Sequence, residues 1–387
     1  MALLAPRGLR GDPAKRQRRR TPASVYALTS EKAWAQSLRI LLASFKKAIA
    51  MFTPVKRHDA PLSPRPDRYL VYGWRRSYFT QKLMAALHFY GADWEFRRKR
   101  ADLEQEIRWR SGTHQVPVLH TPEDWMIADT TPLLDLLDGR FPERRMFPCG
   151  PLGALTHLVE EFFDEWVART TVHWRWNYPE NHMLLAMDAA DGDPDAAANL
   201  IAWGGKVCRA TGVSSQTQQQ AAEDEYHRIM AAAEAQLRET RFLLGDRPTA
   251  VDCIVLAGLR AHFLFDPAPN RMLRERYPGV VRWAEQEADL WDGGGALASF
   301  PESTAFVRFV KETMVFTWAP FSLANKDALE RAERAFVIPI YGEDVSYLAR
   351  PYIEQSRRML ARRAAAAGPA FADWIAGTGL AEALADR

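Results

Sequence analysis

Between Tyr69 and Phe141 the chain strings together an ordered set of local signals that few architectures accommodate. An apolar run, Tyr69-Leu70-Val71-Tyr72, ends at Gly73, and Ser77 then opens a helical stretch from Phe79 to Tyr90. A second apolar run, Gln115-Val116-Pro117-Val118-Leu119, is followed by Asp129-Thr130 ahead of Leu133 and Leu134. The proline constrains most. It cannot donate to a sheet ladder, so it belongs at a strand start or an edge. A cis Val116-Pro117 bond would leave the Val116 N–H and C=O free to pair with an extended ligand. A trans proline in an ordinary edge strand is the plain alternative.

The acidic-hydroxyl pair adds a second constraint. Thr130 is a good N-cap, Pro132 is tolerated in a first helical turn, and Leu133, Leu134, Leu136 and Leu137 give that helix an apolar face. Free N–H groups at such a helix start suit a carboxylate, and the Asp129 carboxylate suits an ammonium. An amino-acid head group carries both charges; a helix cap with no ligand is the competing reading. Ser77 has the same two sides. It is an N-cap for the helix marked by Leu83, Ala86, Leu87 and Tyr90, and it also offers a hydroxyl where the helix dipole favours a thiolate.

These pieces, in this order, resemble the thioredoxin-like N-terminal domain of soluble glutathione transferases. The resemblance implies a catalytic role for Ser77, five residues before Lys82, in stabilising a bound thiolate. It implies that Gln115, Val116 and Pro117 form the cis-proline element on which the cysteinyl part of glutathione pairs. Asp129 and Thr130 resemble the family's Glu-Ser pair that holds the γ-glutamyl head. The loop departs from the family pattern: Trp74-Arg75-Arg76 precede Ser77, and Tyr78 follows it in place of a small residue or proline. Bulky basic residues there would either narrow the thiol site or recruit an anionic co-substrate.

A second phrase, Phe242 to Asp252, reads as loop, turn and helix start, and Thr249 and Asp252 have capping-box spacing. It resembles the capping box of the helical domain of the same family, with Tyr277-Pro278 and Trp283 as that domain's next turn and helix. From about Pro151 the pattern is helical: Leu155, Leu158, Val159, Phe162, Phe163, Trp166 and Val167 keep one stripe, which continues through His173 and Trp174. The first long helix of the family's second domain lines the co-substrate pocket. Tyr78, Trp166, His173 and Trp174 are therefore expected to line an apolar pocket, against the ordinary alternative of aromatic packing at a domain interface. Further on, Asp188 to Ala196 reads as a loop, Pro339 as a breaker, and Val345 to Arg363 as a long helix.

Composition narrows the remaining classes. Three scattered cysteines fit a reducing compartment, the cytoplasm, better than a disulfide scaffold. None lies in the Gly73–Lys82 loop, which argues against a cysteine nucleophile there. The nine histidines show no metal-ligand spacing, and no apolar run reaches a membrane span. Residues 1–60 hold 13 Lys/Arg against 3 Asp/Glu, so in a chain of net charge +3 the remainder is acidic. Trp34, Leu38, Leu41, Phe45, Ile49 and Phe52 recur at helical steps within that basic leader. Residues 33–52 are thus expected to be an amphipathic helix meeting a membrane surface or another domain, or a leader preceding a start at Met51. Nucleic acid is not an expected partner, since the basic run lacks interleaved aromatics.

The expectation is an α/β plus all-α protein: a basic extension (1–64), a thioredoxin-like domain with a mixed four-stranded sheet (67–146), an all-helical glutathione transferase C-terminal domain (150–320), and a helical extension (321–387). The expected function is binding of glutathione as co-substrate, without a metal, and conjugation or reduction of a small apolar electrophile, with a homodimer as the expected assembly. The competing expectation is a non-catalytic scaffold on the same fold, such as a metaxin-like membrane-associated protein.

Overall fold

The computed structural model describes residues 62–190 and 193–385. The expected amphipathic helix at 33–52 and the basic run before it lie outside the described residues.

The first strands form a mixed four-stranded sheet. β1 (Tyr69–Gly73) runs parallel to β2 (Trp94–Arg98) and antiparallel to β3 (Val118–His120), which pairs antiparallel with β4 (Met126–Ile127). The spatial order is β2-β1-β3-β4. β1 reads as a continuous apolar run because it is central and covered on both faces: Leu70, Val71 and Tyr72 are all buried. The Val116-Pro117 bond is cis and ends just where β3 begins. α1 (Tyr78–Tyr90) starts at the Ser77 N-cap and closes on Gly91, whose φ of 68° is the left-handed C-cap conformation. Gly73 is required by close approach, since a Cβ there would sit 2.6 Å from the Thr80 side chain. α2 (Ala101–Ser111) precedes β3, and α3 (Thr130–Arg140) follows β4.

The chain then becomes helical. Asp138 at the end of α3 accepts the N–H groups of Met146 at 2.7 Å and Phe147 at 2.9 Å, and the Tyr90 hydroxyl at 2.5 Å, fastening the connecting loop to the sheet layer. α4 (Gly150–Glu161) passes through a π-helical turn (Phe162–Val167) into α5 (Ala168–Asn177), so the expected long helix is present but locally widened. α6 (Pro179–Ala190) and α7 (Pro194–Ala210) take in both ends of the expected 188–196 loop. α8 (Gln216–Gln236) starts at Ser215. The fully buried α9 (Ala250–Gly258) packs on α1, where Gly258 faces Tyr78. Its start is the anticipated capping box. Asp252 accepts the Thr249 N–H at 2.7 Å, the Thr249 hydroxyl at 3.0 Å, and the Leu243 N–H at 2.9 Å. α10 (Pro267–Arg276) and α11 (Pro278–Arg282) complete this bundle.

The last part departs from the expected all-helical extension. α12 (Ala305–Phe316) and α13 (Trp318–Glu330) lead into a hairpin of β5 (Ala335–Ile340) and β6 (Glu343–Leu348), followed by α14 (Pro351–Ala366), α15 (Pro369–Ile375) and α16 (Gly379–Ala383). Pro339 is therefore not a helix breaker, and Val345 begins no helix. The hairpin arises because Phe336, Ile338 and Ile340 alternate inward with period two, and Tyr341-Gly342 take positive φ of 50° and 84° at the turn.

Candidate functional site

A cavity of about 590 Å³ opens between the sheet layer and the helices. One wall comes from the loop before β3 (Gln115, Val116, Pro117) and from Asp129-Thr130 at the start of α3. The opposite wall comes from the π-helical turn and α5: Asp164, Glu165, Trp166, Arg169 and Val172. Phe321, Tyr347, Arg350 and Tyr352 close a third side from the C-terminal segment. Phe79 of α1 completes the apolar lining.

Asp129 has φ 72° and ψ 106°, a left-handed conformation costly for a non-glycine residue. Its Oδ1 accepts the Tyr352 hydroxyl at 3.0 Å. Burial raises its carboxyl pKa above the ordinary value, and the Tyr352 hydrogen bond works against that rise. Behind it lies a buried charge cluster. Lys82 Nζ donates to Thr131 Oγ1 at 2.9 Å, to Asp164 Oδ2 at 3.0 Å, and to Glu160 Oε1; Thr131 Oγ1 donates to Glu160 at 3.0 Å. Burial opposes the Lys82 charge, but Asp164 and Glu160 hold its pKa above the usual lysine value. Burial pushes Glu160 up to about 7 despite Lys82, and Glu165 likewise to about 7 despite Arg350, 3.3 Å away.

A second cluster lies under the α5 side. Glu225 accepts the Trp166 Nε1–H at 3.0 Å on both oxygens, the Arg169 Nη2–H at 3.3 Å, and the Tyr341 hydroxyl. The Arg169 guanidinium lies 4.4 Å from the Trp166 ring centroid and 5.5 Å from that of Tyr341.

The structure thus brings together on one cavity Gln115, Val116, Pro117, Asp129, Thr130 and Trp166. Four other expected residues lie off its lining. Ser77 caps α1, its Oγ accepting the Thr80 N–H at 3.4 Å. Tyr78 is buried between α1 and the π-helical turn, donating to the Phe163 carbonyl at 3.4 Å. His173 pairs with Glu223 at 2.7 Å, and Trp174 stacks on Tyr178 with centroids 4.7 Å apart. Arg75 and Arg76 line a separate cavity, lying over Phe96 and Phe265 at 4.5 and 3.6 Å. Sequence reasoning missed Asp164, Glu165, Arg169, Arg350 and Tyr352. The i, i+4 step from Glu165 to Arg169, beside Trp166, is the one local pattern that marks a polar face inside an apolar stripe. Among the described residues, no group of three or more His, Cys, Asp or Glu is placed to hold a metal, and no helix is long and apolar enough to cross a membrane.

The likeness to solved structures is modest. A glutathione transferase from Phanerochaete chrysosporium is 17% identical over 59% of this chain and 98% of its own, with a TM-score of 0.43. One from Rhodospirillum rubrum is 16% identical over 56% and 86%, TM-score 0.41. One from Methylobacterium radiotolerans, in complex with glutathione sulfonate, is 16% identical over 60% and 97%, TM-score 0.38. No curated protein matches the chain. Two family models do: "Glutathione S-transferase, N-terminal domain" over residues 71–145, which take in the sheet from Val71 onward, and "Glutathione S-transferase, C-terminal domain" over residues 196–288, which take in α7 from Ala196 onward and α8 to α11. With both halves present in sequence order on a mixed sheet followed by a helical bundle, the chain belongs to the glutathione transferase superfamily.

Proposed function

We propose that the protein binds glutathione in the 590 Å³ cavity and presents its thiolate to an apolar electrophile. The observation that carries this reading is the meeting of Val116 with Asp129-Thr130 on one cavity wall. The Val116 backbone beside a cis proline suits a peptide, and Asp129 with the first turn of α3 suits an α-amino acid head group. In this reading Gln115, Val116 and Pro117 hold the cysteinyl part, and Asp129 and Thr130 hold the γ-glutamyl ammonium and carboxylate. Ser77 stabilises the thiolate, turning its hydroxyl from the Thr80 N–H toward the sulfur. Conjugation then forms a carbon–sulfur bond as the electrophile's leaving group or π pair takes the electrons. Retention of the full chain on glutathione resin, abolished by Asp129→Ala, tests the binding; retention unchanged in a folded Asp129→Ala protein would refute the head-group assignment. Replacing Ser77 with Ala is expected to cut turnover at least tenfold while leaving glutathione affinity within about twofold, the pattern of a transition-state interaction.

A second reading, binding without catalysis, is favoured by one observation: Ser77 already serves as a cap and lies off the cavity lining. Glutathione retained without turnover across a panel of electrophiles would support it.

A further inference from the structure

Arg169 is 3% exposed and lines the cavity, yet its Nε and Nη1 have no acceptor among the described residues. A buried guanidinium has five donors, and leaving them unmatched is costly. The charge, however, is already matched. Glu225, 1% exposed, takes the Nη2–H, while the faces of Trp166 and Tyr341 stabilise the cation without accepting those in-plane N–H bonds. The site therefore lacks oxygen lone pairs, not negative charge. A ligand carboxylate would add an anion beside Glu225, in a cavity whose walls already carry three carboxyl groups, Asp129, Asp164 and Glu165, against one guanidinium besides Arg169, that of Arg350, which is paired with Glu165. A neutral carbonyl oxygen supplies the lone pairs with no further charge to desolvate. Trp166, Val172, Phe321 and Tyr347 give the same cavity an apolar and aromatic lining.

We propose that Arg169 reads the co-substrate, selecting an apolar molecule that carries a neutral carbonyl oxygen. As the identity of the second substrate, this rests on the glutathione reading; as a binding preference, it stands without it.

Calorimetric titration of the full chain with three probes of one shape tests the proposal: benzylacetone (a ketone), hydrocinnamate (a carboxylate) and butylbenzene (no oxygen). Benzylacetone is expected to bind roughly tenfold tighter than either, the scale of one net hydrogen bond to a charged donor. The preference should fall below about twofold in Arg169→Met, and also in Arg169→Met with Glu225→Gln, which removes both buried charges together. Tightest binding of hydrocinnamate, equal binding of ketone and hydrocarbon in the native chain, or an unchanged preference in the folded double variant would each overturn it. Repeating the series without glutathione separates the two readings. A ketone preference in a protein that glutathione resin does not retain sinks the function proposed above and spares this one.

Discussion

Replacing Lys82 with Met should expose the cost of the buried cluster behind Asp129, and its size should depend on pH. Lys82 is fully buried and holds Glu160 and Asp164, themselves 1% and 9% exposed at their side chains. Removing one partner of such a group typically costs about 3–5 kcal/mol, because carboxylates are left without a counter-charge. Glu160 lies near 7 even with Lys82 beside it, above the ordinary 4.5 of an unfolded chain. The folded state therefore holds a proton that the unfolded state has lost, and stability falls as pH rises from the unfolded value through the folded one. Between pH 6 and pH 8 this amounts to roughly 1 kcal/mol in the native protein, the scale of one pKa unit. Without Lys82 the Glu160 carboxyl stays protonated across that interval, so the full slope applies, about twice as much. The Lys82→Met deficit should consequently be larger at pH 8 than at pH 6 by roughly 1 kcal/mol, and Glu160→Gln added to it should remove that excess. Urea denaturation at both pH values, with slopes checked for constancy, measures each quantity. A deficit below 1 kcal/mol, or one equal at the two pH values, would refute the reasoning.

Two further outcomes can be checked independently. In Tyr352→Phe the Asp129 carboxyl loses the hydrogen bond that favours its charged form, so its pKa should rise further. The acid limb of glutathione binding should then move to higher pH in calorimetric titrations from pH 4.5 to 7, and an unmoved limb would detach Tyr352 from the head-group site. Asp252→Ala strips the Leu243 and Thr249 N–H groups of their buried acceptor and should cost roughly 3 kcal/mol or more in chemical denaturation, at about 1–3 kcal/mol per stranded donor; a loss under 1 kcal/mol would contradict the buried cap.

What was legible in the sequence was local. Ser77 and Thr249 announce helix starts by the hydroxyl they offer, and Val116-Pro117 marks a strand edge by the donor it lacks. Tyr69 to Gly73 reads as a central strand because its run is unbroken. The hairpin at 335–348 is equally local, with Phe336, Ile338 and Ile340 in period two, but Pro339 inside the run reads as a break. Helical aromatic periodicity could not separate Trp166, which lines the cavity, from Trp174, which stacks on Tyr178. The six-residue π-helical turn shifts the register between them, and nothing in the apolar stripe announces it. The clusters were beyond reach for another reason. Lys82 meets Glu160 across 78 residues and Arg169 meets Glu225 across 56, so each pairing exists only once the bundle has closed.

The third wall of the cavity has its own implication. Phe321, Tyr347, Arg350 and Tyr352 all come from chain beyond residue 288, where the second family model stops. The cavity is consequently a composite of the segment that the first family model matches and a segment beyond the reach of both models. Changes at Phe321 or Tyr347 would alter what the chamber admits, whereas changes at Tyr352 would reach the Asp129 wall through its hydroxyl, so one segment both shapes the opening and braces the framework.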